Sequence, residues 1–399
     1  MVIEFSENNV IGGSLDNFMT VRHILARGSN YEIGKTLGKI AIERHGVEVK
    51  NQSDPLTVRS QRLYIRKNYP IHFERMRGVA DVYKAELEDD NANLATLPYN
   101  FGTAACSDVF YPPESSENGH GILSRNFDFY TGTLSEMLGA PPRRDDKPAM
   151  SEPYLVEVYP DEGYPSLYLT SFDLFGCLDG INSKGLAVAV NGDDETAMSH
   201  PIEPTMGQAV GFNELQILRF LLDTCGNVEE AKQALLTSKQ YYALSPMHYI
   251  IADAEGRSFI WEFSPLRNRN YITEGMRGKP QAITNHLIYD AYAPPQGSPV
   301  SSNSRERLKA LERVISSHPP NQKYSLDFIR ETNACVFQEK GDALSRDLRA
   351  QPLSRTLWHG IYDTTEKTLA ISFYLRDERD EQDRNRAARS EYFKFRLDV

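Results

Sequence analysis

The 399-residue sequence has no run of about 18 uninterrupted apolar residues, which excludes a membrane-spanning helix. It has no long basic run either. Lys and Arg number 44 against 55 Asp and Glu, a formal charge of −11. That balance argues against a nucleic acid held through its phosphates and against a polybasic membrane anchor. Cysteine is scarce: Cys106, Cys177, Cys225 and Cys335 stand far apart and form no Cys-x-x-Cys, so neither a zinc knuckle nor a disulfide framework is expected. The opening Met1-Val-Ile-Glu-Phe-Ser-Glu7 shows neither a basic n-region nor an apolar h-region, so no secretory signal is read and a cytoplasmic location is expected. No internal repeat and no long linker interrupts the chain. What remains is ordinary globular composition, 40% hydrophobic and 25% charged.

The pattern along the chain alternates between helix and strand. Ile33, Leu37, Ile40 and Ala41 form an apolar stripe that predicts a helix over 31–46, and a second is expected over about 69–90. From 120 to 200 the texture is that of short strands: 121–125, 154–159, 166–170 and 185–191, broken by Gly, Pro and Asp, with an exposed loop over 141–148. Leu215, Leu218 and Leu222 share a helical face, and Asn227-Val-Glu-Glu230 reads as a capping box opening the next helix. Strands return at 248–264 and 357–375, and the charge-dense 376–391 reads as a solvated segment. Together these suggest one layered domain over 1–399.

Chemistry concentrates around one cysteine. Small residues, Gly102-Thr-Ala-Ala105, precede Cys106, and a Pro-rich turn separates its strand from a second that ends Arg125-Asn-Phe-Asp128. A hairpin would bring Arg125 and Asp128 back to Cys106. A cationic neighbour lowers a thiol's pKa, and a carboxylate can hold a cationic base. A papain-like Cys/His/Asn set using His286 beside Asn285 is the competing assignment, and Asp193-Asp-Glu195 is a conceivable calcium loop more simply read as solvated. Cys177, Cys225 and Cys335 read as core residues, and His120 and His359 as ordinary turn and strand histidines.

Cys106 with Arg125-Asn-Phe-Asp128 resembles the N-terminal-nucleophile amidohydrolases related to isopenicillin-N acyltransferase, choloylglycine hydrolase and acid ceramidase. Further segments are similar to that family in order: Arg27–Gly34, Glu74–Asp81, Asp179–Asn191, Ile283-Thr-Asn285-His286, Ser301-Ser-Asn-Ser-Arg305 and the closing Leu357–Leu369. The chain departs from it after the nucleophile, with Ser107-Asp108 where relatives have Thr, and before it, with Ala105 where Gly is frequent.

The resemblance implies an α+β fold, a four-layer αββα sandwich, made of an α part (1–105) and a β part (106–399) separated by self-cleavage between Ala105 and Cys106. Cys106 then carries a thiol and a free α-amine, whose ordinary pKa near 7.7–8.0 suits a general base. The resemblance assigns Asp128 to the ammonium, Arg125 to the thiolate, the Asn285 amide and the Asn191 N–H to the oxyanion, and Arg305 to holding the arrangement. It implies an amidohydrolase or N-acyltransferase working through a thioester on a small-molecule amide or acyl substrate. Acyl-CoA is a candidate co-substrate, no metal or organic cofactor is required, and a homo-oligomer is compatible. The competing function is an unprocessed, non-catalytic binding protein of the same fold.

Overall fold

In a computed structural model of the chain, the described residues are 3–12, 14, 16–48, 54–95, 105–137, 147–193, 209–243, 245–264, 269–289, 304–339, 354–379 and 385–398. In chain order the elements are β1 (Glu4–Ile11), β2 (Val21–Gly28), α1 (Asn30–His45), α2 (Pro55–Asn68), α3 (Pro70–Tyr83), β3 (Ala105–Tyr111), β4 (Ile122–Tyr130), α4 (Leu134–Met137), β5 (Tyr154–Pro160), β6 (Ser166–Thr170), β7 (Asp179–Asn182) and β8 (Ala187–Gly192). They continue with α5 (Gln216–Thr224), α6 (Val228–Thr237), β9 (Met247–Ala252), β10 (Ser258–Ser264), β11 (Arg269–Glu274), β12 (Gln281–Ile283), α7 (Ser304–Ser317), α8 (Leu326–Ala334), β13 (Ser354–Asp363), β14 (Thr368–Arg379), β15 (Asn385–Arg389) and β16 (Phe393–Arg396).

The helices form where capping and an apolar stripe coincide. Ser29 accepts from Glu32 N–H at the start of α1, Ile33, Leu37, Ile40 and Ala41 are buried along it, and Gly46 closes it at φ 59°. Asn227 caps α6 by accepting from Glu230 N–H, as its capping box predicts. The helix expected over 69–90 is shorter: Lys84 turns left-handed at φ 52° and stops α3 at Tyr83. Ahead of it α2 has no counterpart in the sequence reading, because its buried face mixes Val58 and Ile65 with Gln61 and Arg62. The charge-dense C-terminal stretch is also not simply solvated. It extends β14 and adds β15, and β16 follows it, alternating half-buried and exposed residues.

Two sheets stack. The first has nine strands in the order β1-β2-β5-β6-β7-β8-β9-β10-β11; the second runs β12-β3-β4-β13-β14-β15, with β16 also on β14. β3 meets β8 across the interface, α1, α5 and α6 cover the first sheet, and α7 and α8 cover the second. That is the four-layer αββα sandwich the sequence implied. Helix α3 packs on α1 through reciprocal glycines: a Cβ at Gly78 would lie 2.0 Å from the Tyr31 carbonyl oxygen, and one at Gly34 2.2 Å from that of Arg75. The part before Cys106 is woven into the part after it, since β2 pairs in parallel with β5 through Ile24↔Val156.

Alternation along β3 and β4 decides which side chains reach the site. Arg125 faces inward and meets Asp179 of β7 across the sheet interface, whereas Asn126 faces outward and donates to the Asn333 carbonyl of α8. Phe127 lies between the sheets and stacks on Trp358 at 3.9 Å.

Candidate active site

Cys106 is the second residue of β3, fully buried, at the end of an inner strand where two different sets of groups converge. The antiparallel register places Ala105 opposite Asp128, Cys106 opposite Phe127 and Asp108 opposite Arg125. The expected hairpin therefore forms and does return Arg125 and Asp128 to the cysteine.

The first set surrounds the Cys106 backbone. Its N–H donates to Asn285 Oδ1 at 2.7 Å, and its carbonyl accepts from Arg307 Nη1 at 2.7 Å. Arg307 Nη2 donates to the same Asn285 Oδ1 at 2.6 Å, and Asn285 Nδ2 donates to the Gly192 carbonyl at 2.9 Å. Asp128, opposite Ala105, accepts from Thr356 Oγ1 at 2.6 Å through Oδ1. Its Oδ2 is buried without a hydrogen-bond partner among the described residues, 3.7 Å from Arg307 Nη1. Burial raises the Asp128 pKa, against the lowering effect of Arg307, Thr356 and Arg125.

The second set lies on the inward side. Arg125 Nη1 contacts both Asp108 oxygens at 3.1 and 3.2 Å and Asn191 Oδ1 at 3.4 Å, while Nε reaches Asp179 Oδ2 at 3.2 Å. Asn191 Nδ2 donates to Asp108 Oδ2 at 2.6 Å, and Trp358 and Tyr362 donate to Asp179. Arg125 lowers the thiol pKa as expected, but burial is the larger effect and Asp108 and Asp128 add to it. In the intact chain the thiol is pushed up to about 12, so it is held protonated. Asp108 itself is pushed up to about 6 by burial, with Arg125 pulling the other way.

Three expectations change. The arginine reaching Cys106 and Asn285 is Arg307, not Arg305. Arg305 is half-buried and, behind the effect of burial, helps lower the His286 pKa to about 3. Ser304, Arg307 and Leu311 form the buried face of α7, and that spacing, present in the sequence, is the signal that selects Arg307. Second, Val190 N–H bonds Leu178 O and Asp193 N–H bonds Pro246 O, so Asn191, in phase with Asp193 and opposite His248, directs its N–H into the β8–β9 ladder. It is not free for an oxyanion, and its side chain serves Asp108. Third, Cys335 is exposed at the end of α8 rather than in the core, whereas Cys177 and Cys225 are buried.

The papain-like assignment fails on geometry. His286 is buried with Nδ1 on Ser304 Oγ at 2.8 Å and Thr284 Oγ1 at 3.2 Å, an anchor for the start of α7. Residues Asp194 and Glu195, and Ser301–Asn303 of the arginine motif, lie outside the described residues, as do 101–104 before the nucleophile. Among the described residues no cluster of three or more His, Cys, Asp or Glu is placed to hold a metal ion. No helix of the described residues is long and apolar enough to cross a membrane.

Arg307 and Arg305 make different predictions. Arg307→Ala strips a charged partner from both Asn285 and the Cys106 carbonyl, and a hydrogen bond to a charged group is worth about 1.5–3 kcal/mol. We expect a denaturant midpoint lowered accordingly and loss of any chemistry at Cys106, while Arg305→Ala leaves that chemistry close to wild type.

An αββα sandwich with a buried cysteine at the head of an inner strand is the architecture of the N-terminal-nucleophile hydrolases. Residues 115–379 match the profile of the acyl-coenzyme A:6-aminopenicillanic acid acyl-transferase family, and the chain belongs to that family. It is an enzyme that forms or cleaves an amide bond. The match begins after Cys106, so the local geometry carries the cysteine's assignment. Among solved structures the chain is similar to penicillin V acylase from Agrobacterium tumefaciens, with 18% identity, 67% of this chain and 82% of that one covered, and a TM-score of 0.43. It is similar also to a mutant of conjugated bile acid hydrolase from Clostridium perfringens, with 15% identity, 74% and 97% covered, and a TM-score of 0.46. The Caenorhabditis elegans ortholog of N-acylethanolamine-hydrolyzing acid amidase matches at 13% identity, covering 65% and 93%, with a TM-score of 0.34. No curated protein matches the sequence significantly.

Proposed function

We propose that this chain cuts its own Ala105–Cys106 bond and then uses Cys106 as an N-terminal nucleophile on a linear amide. The observation that carries the reading is the pair of acceptors at the head of β3, one on the Cys106 nitrogen and one on the strand paired with it. Asn285 Oδ1 already accepts the nitrogen's one N–H, and the buried Asp128 Oδ2, opposite Ala105, has no donor among the described residues. A peptide nitrogen has no hydrogen for the second acceptor. An α-ammonium has three.

In the cut, Cys106 Sγ attacks the Ala105 carbonyl carbon, the C–N bond breaks and the thiol proton passes to the leaving nitrogen. Water then hydrolyses the resulting thioester, leaving an Ala105 carboxylate and a Cys106 with free amine and free thiol. The amine replaces a missing histidine: it takes the thiol proton as a base of pKa near 7.7–8.0 and returns it to the leaving amine of the substrate. The substrate's acyl group rests on Sγ as a thioester until water or an amine removes it. The same residues serve hydrolysis and transfer, and in transfer an acyl-CoA is the acyl donor. The two pieces stay together because β2 and β5 share a sheet. The four free thiols suit a reducing compartment, and we place the enzyme in the cytoplasm.

The test is a screen of purified protein against N-acyl amines, N-acyl amino acids and β-lactams, with and without acyl-CoA. Turnover that disappears on alkylation of Cys106 supports the reading; absence of turnover and of any acyl adduct on Cys106 returns the chain to the non-catalytic binding role.

A further inference from the structure

Behind Asn285 lies a buried pair that the chemistry above does not use. His248 of β9 and Glu262 of β10 are 0% and 1% exposed, with His248 Nδ1 3.3 Å from Glu262 Oε1. Both hold the turn that follows β12. His248 Nε2 meets the Thr284 carbonyl at 2.7 Å, and Glu262 accepts from Ile288 N–H at 2.7 Å and Tyr289 N–H at 3.1 Å. The segment 284–289, with Asn285 in it, is thus fastened to the first sheet at both ends, although β12 before it belongs to the second sheet.

The partners favour a charged ring. A carbonyl oxygen opposite Nε2 requires Nε2–H, and a carboxylate oxygen opposite Nδ1, already accepting an amide, requires Nδ1–H as well. With Glu262 ionised, both ring nitrogens donate and the ring is an imidazolium. We propose that His248 and Glu262 are positioning residues for Asn285: a buried imidazolium–carboxylate pair that clamps both ends of the 284–289 turn and so aims Asn285 Oδ1 at the Cys106 nitrogen. The proposal rests on Asn285 holding that nitrogen.

Charges facing His248 come from three elements: Glu262 on β10, Asp193 after β8, and His286 on the turn itself, which Arg305 and Arg307 of α7 face in turn. Burial disfavours the charged ring, but the Glu262 hydrogen bond and charge, with Asp193, outweigh it and the His248 pKa is raised. A raised histidine pKa stabilises fully below the ordinary value near 6.5 and loses that contribution as pH rises through the higher folded value. The clamp therefore loosens on the alkaline side.

Two readouts on the full chain test this. The ring nitrogens of His248, assigned in the 15N spectrum by comparison with His248→Gln, should report an imidazolium at pH about 6. Hydrogen exchange of Ile288 and Tyr289 should show protection that falls about tenfold or more on the alkaline side, the ratio implied by a lost hydrogen bond to a charged group. In His248→Gln, which keeps a donor for Thr284, the protection should be lower and flat with pH. Glu262→Gln should lower it further and slow self-cleavage. If Glu262→Gln does not fold, His248→Gln supplies the comparison. A neutral ring at pH about 6, or exchange unchanged in His248→Gln, overturns the proposal. Neither readout requires turnover, so a clamp present in a chain that never cleaves would count against the proposed function and leave the clamp standing.

Discussion

Replacing Cys106 with alanine is expected to abolish turnover and leave the polypeptide uncut. Loss of a hydrolase nucleophile costs on the order of 10⁶ in kcat, far beyond any effect of the neighbouring groups. The fold should survive, because the change removes one sulfur from a fully buried site and keeps every backbone bond to Asn285 and Arg307. Cys177→Ala, Cys225→Ala and Cys335→Ala should retain activity. Alkylation offers a check on the same point. In the intact chain the exposed Cys335 should react first, since Cys106 is buried and its thiol is held protonated. Fast labelling of Cys106 should appear only after cleavage. An active Cys106→Ala protein, or an essential cysteine elsewhere, would remove Cys106 from the mechanism.

Asn285→Ala should carry the second largest effect, a fall of about 10²–10⁴ in kcat, the contribution of a positioned general base. kcat and kcat/KM should fall together on processed protein. The structure gives this residue a second candidate role beside oxyanion donation, holding the Cys106 nitrogen. The sequence leads to an oxyanion donor; in the intact chain Nδ2 donates one hydrogen to the Gly192 carbonyl and Oδ1 accepts from the Cys106 nitrogen. Asn285→Asp separates the two roles. It keeps an acceptor for the amine and adds a negative charge, which favours the ammonium form and raises the amine pKa above 7.7–8.0. Because the neutral amine is the base, the rising limb of the pH–rate profile should move to higher pH with activity partly recovered there. Oxyanion donation predicts the opposite: Asp, with no donor, as inactive as Ala at every pH. A turn-capping role alone would lower the denaturant midpoint and leave activity per folded molecule unchanged.

The pattern of what is legible in the sequence follows from these residues. Cys106, Arg125, Asp128 and Asn285 are legible because each sits on a strand or just beyond one, where register alone fixes its neighbours. Arg307 is missed by two residues because a helix turns about 100° per residue, so a motif match without the Ser304/Arg307/Leu311 phase selects the wrong face. The state of the thiol is hidden for another reason. Arg125 is close in sequence, but Asp179, one of the acids that share its charge, lies on a strand of the other sheet. The layered fold is legible from strand alternation and helix capping, whereas α2 and the C-terminal strands are hidden by polar residues on buried or half-buried faces.

The central claim is that Cys106 becomes the amino terminus of the active enzyme. Intact-mass spectrometry of fresh, active protein, before and after a brief exposure to a turned-over substrate, tests it most directly. Scaling 45.2 kDa by 105/399 and 294/399 gives pieces of roughly 12 and 33 kDa. The account predicts both pieces co-purifying, the larger beginning at Cys106 and gaining the mass of one acyl group on exposure. A single 45.2 kDa species that turns over substrate, or an acyl adduct on any other residue, would contradict it.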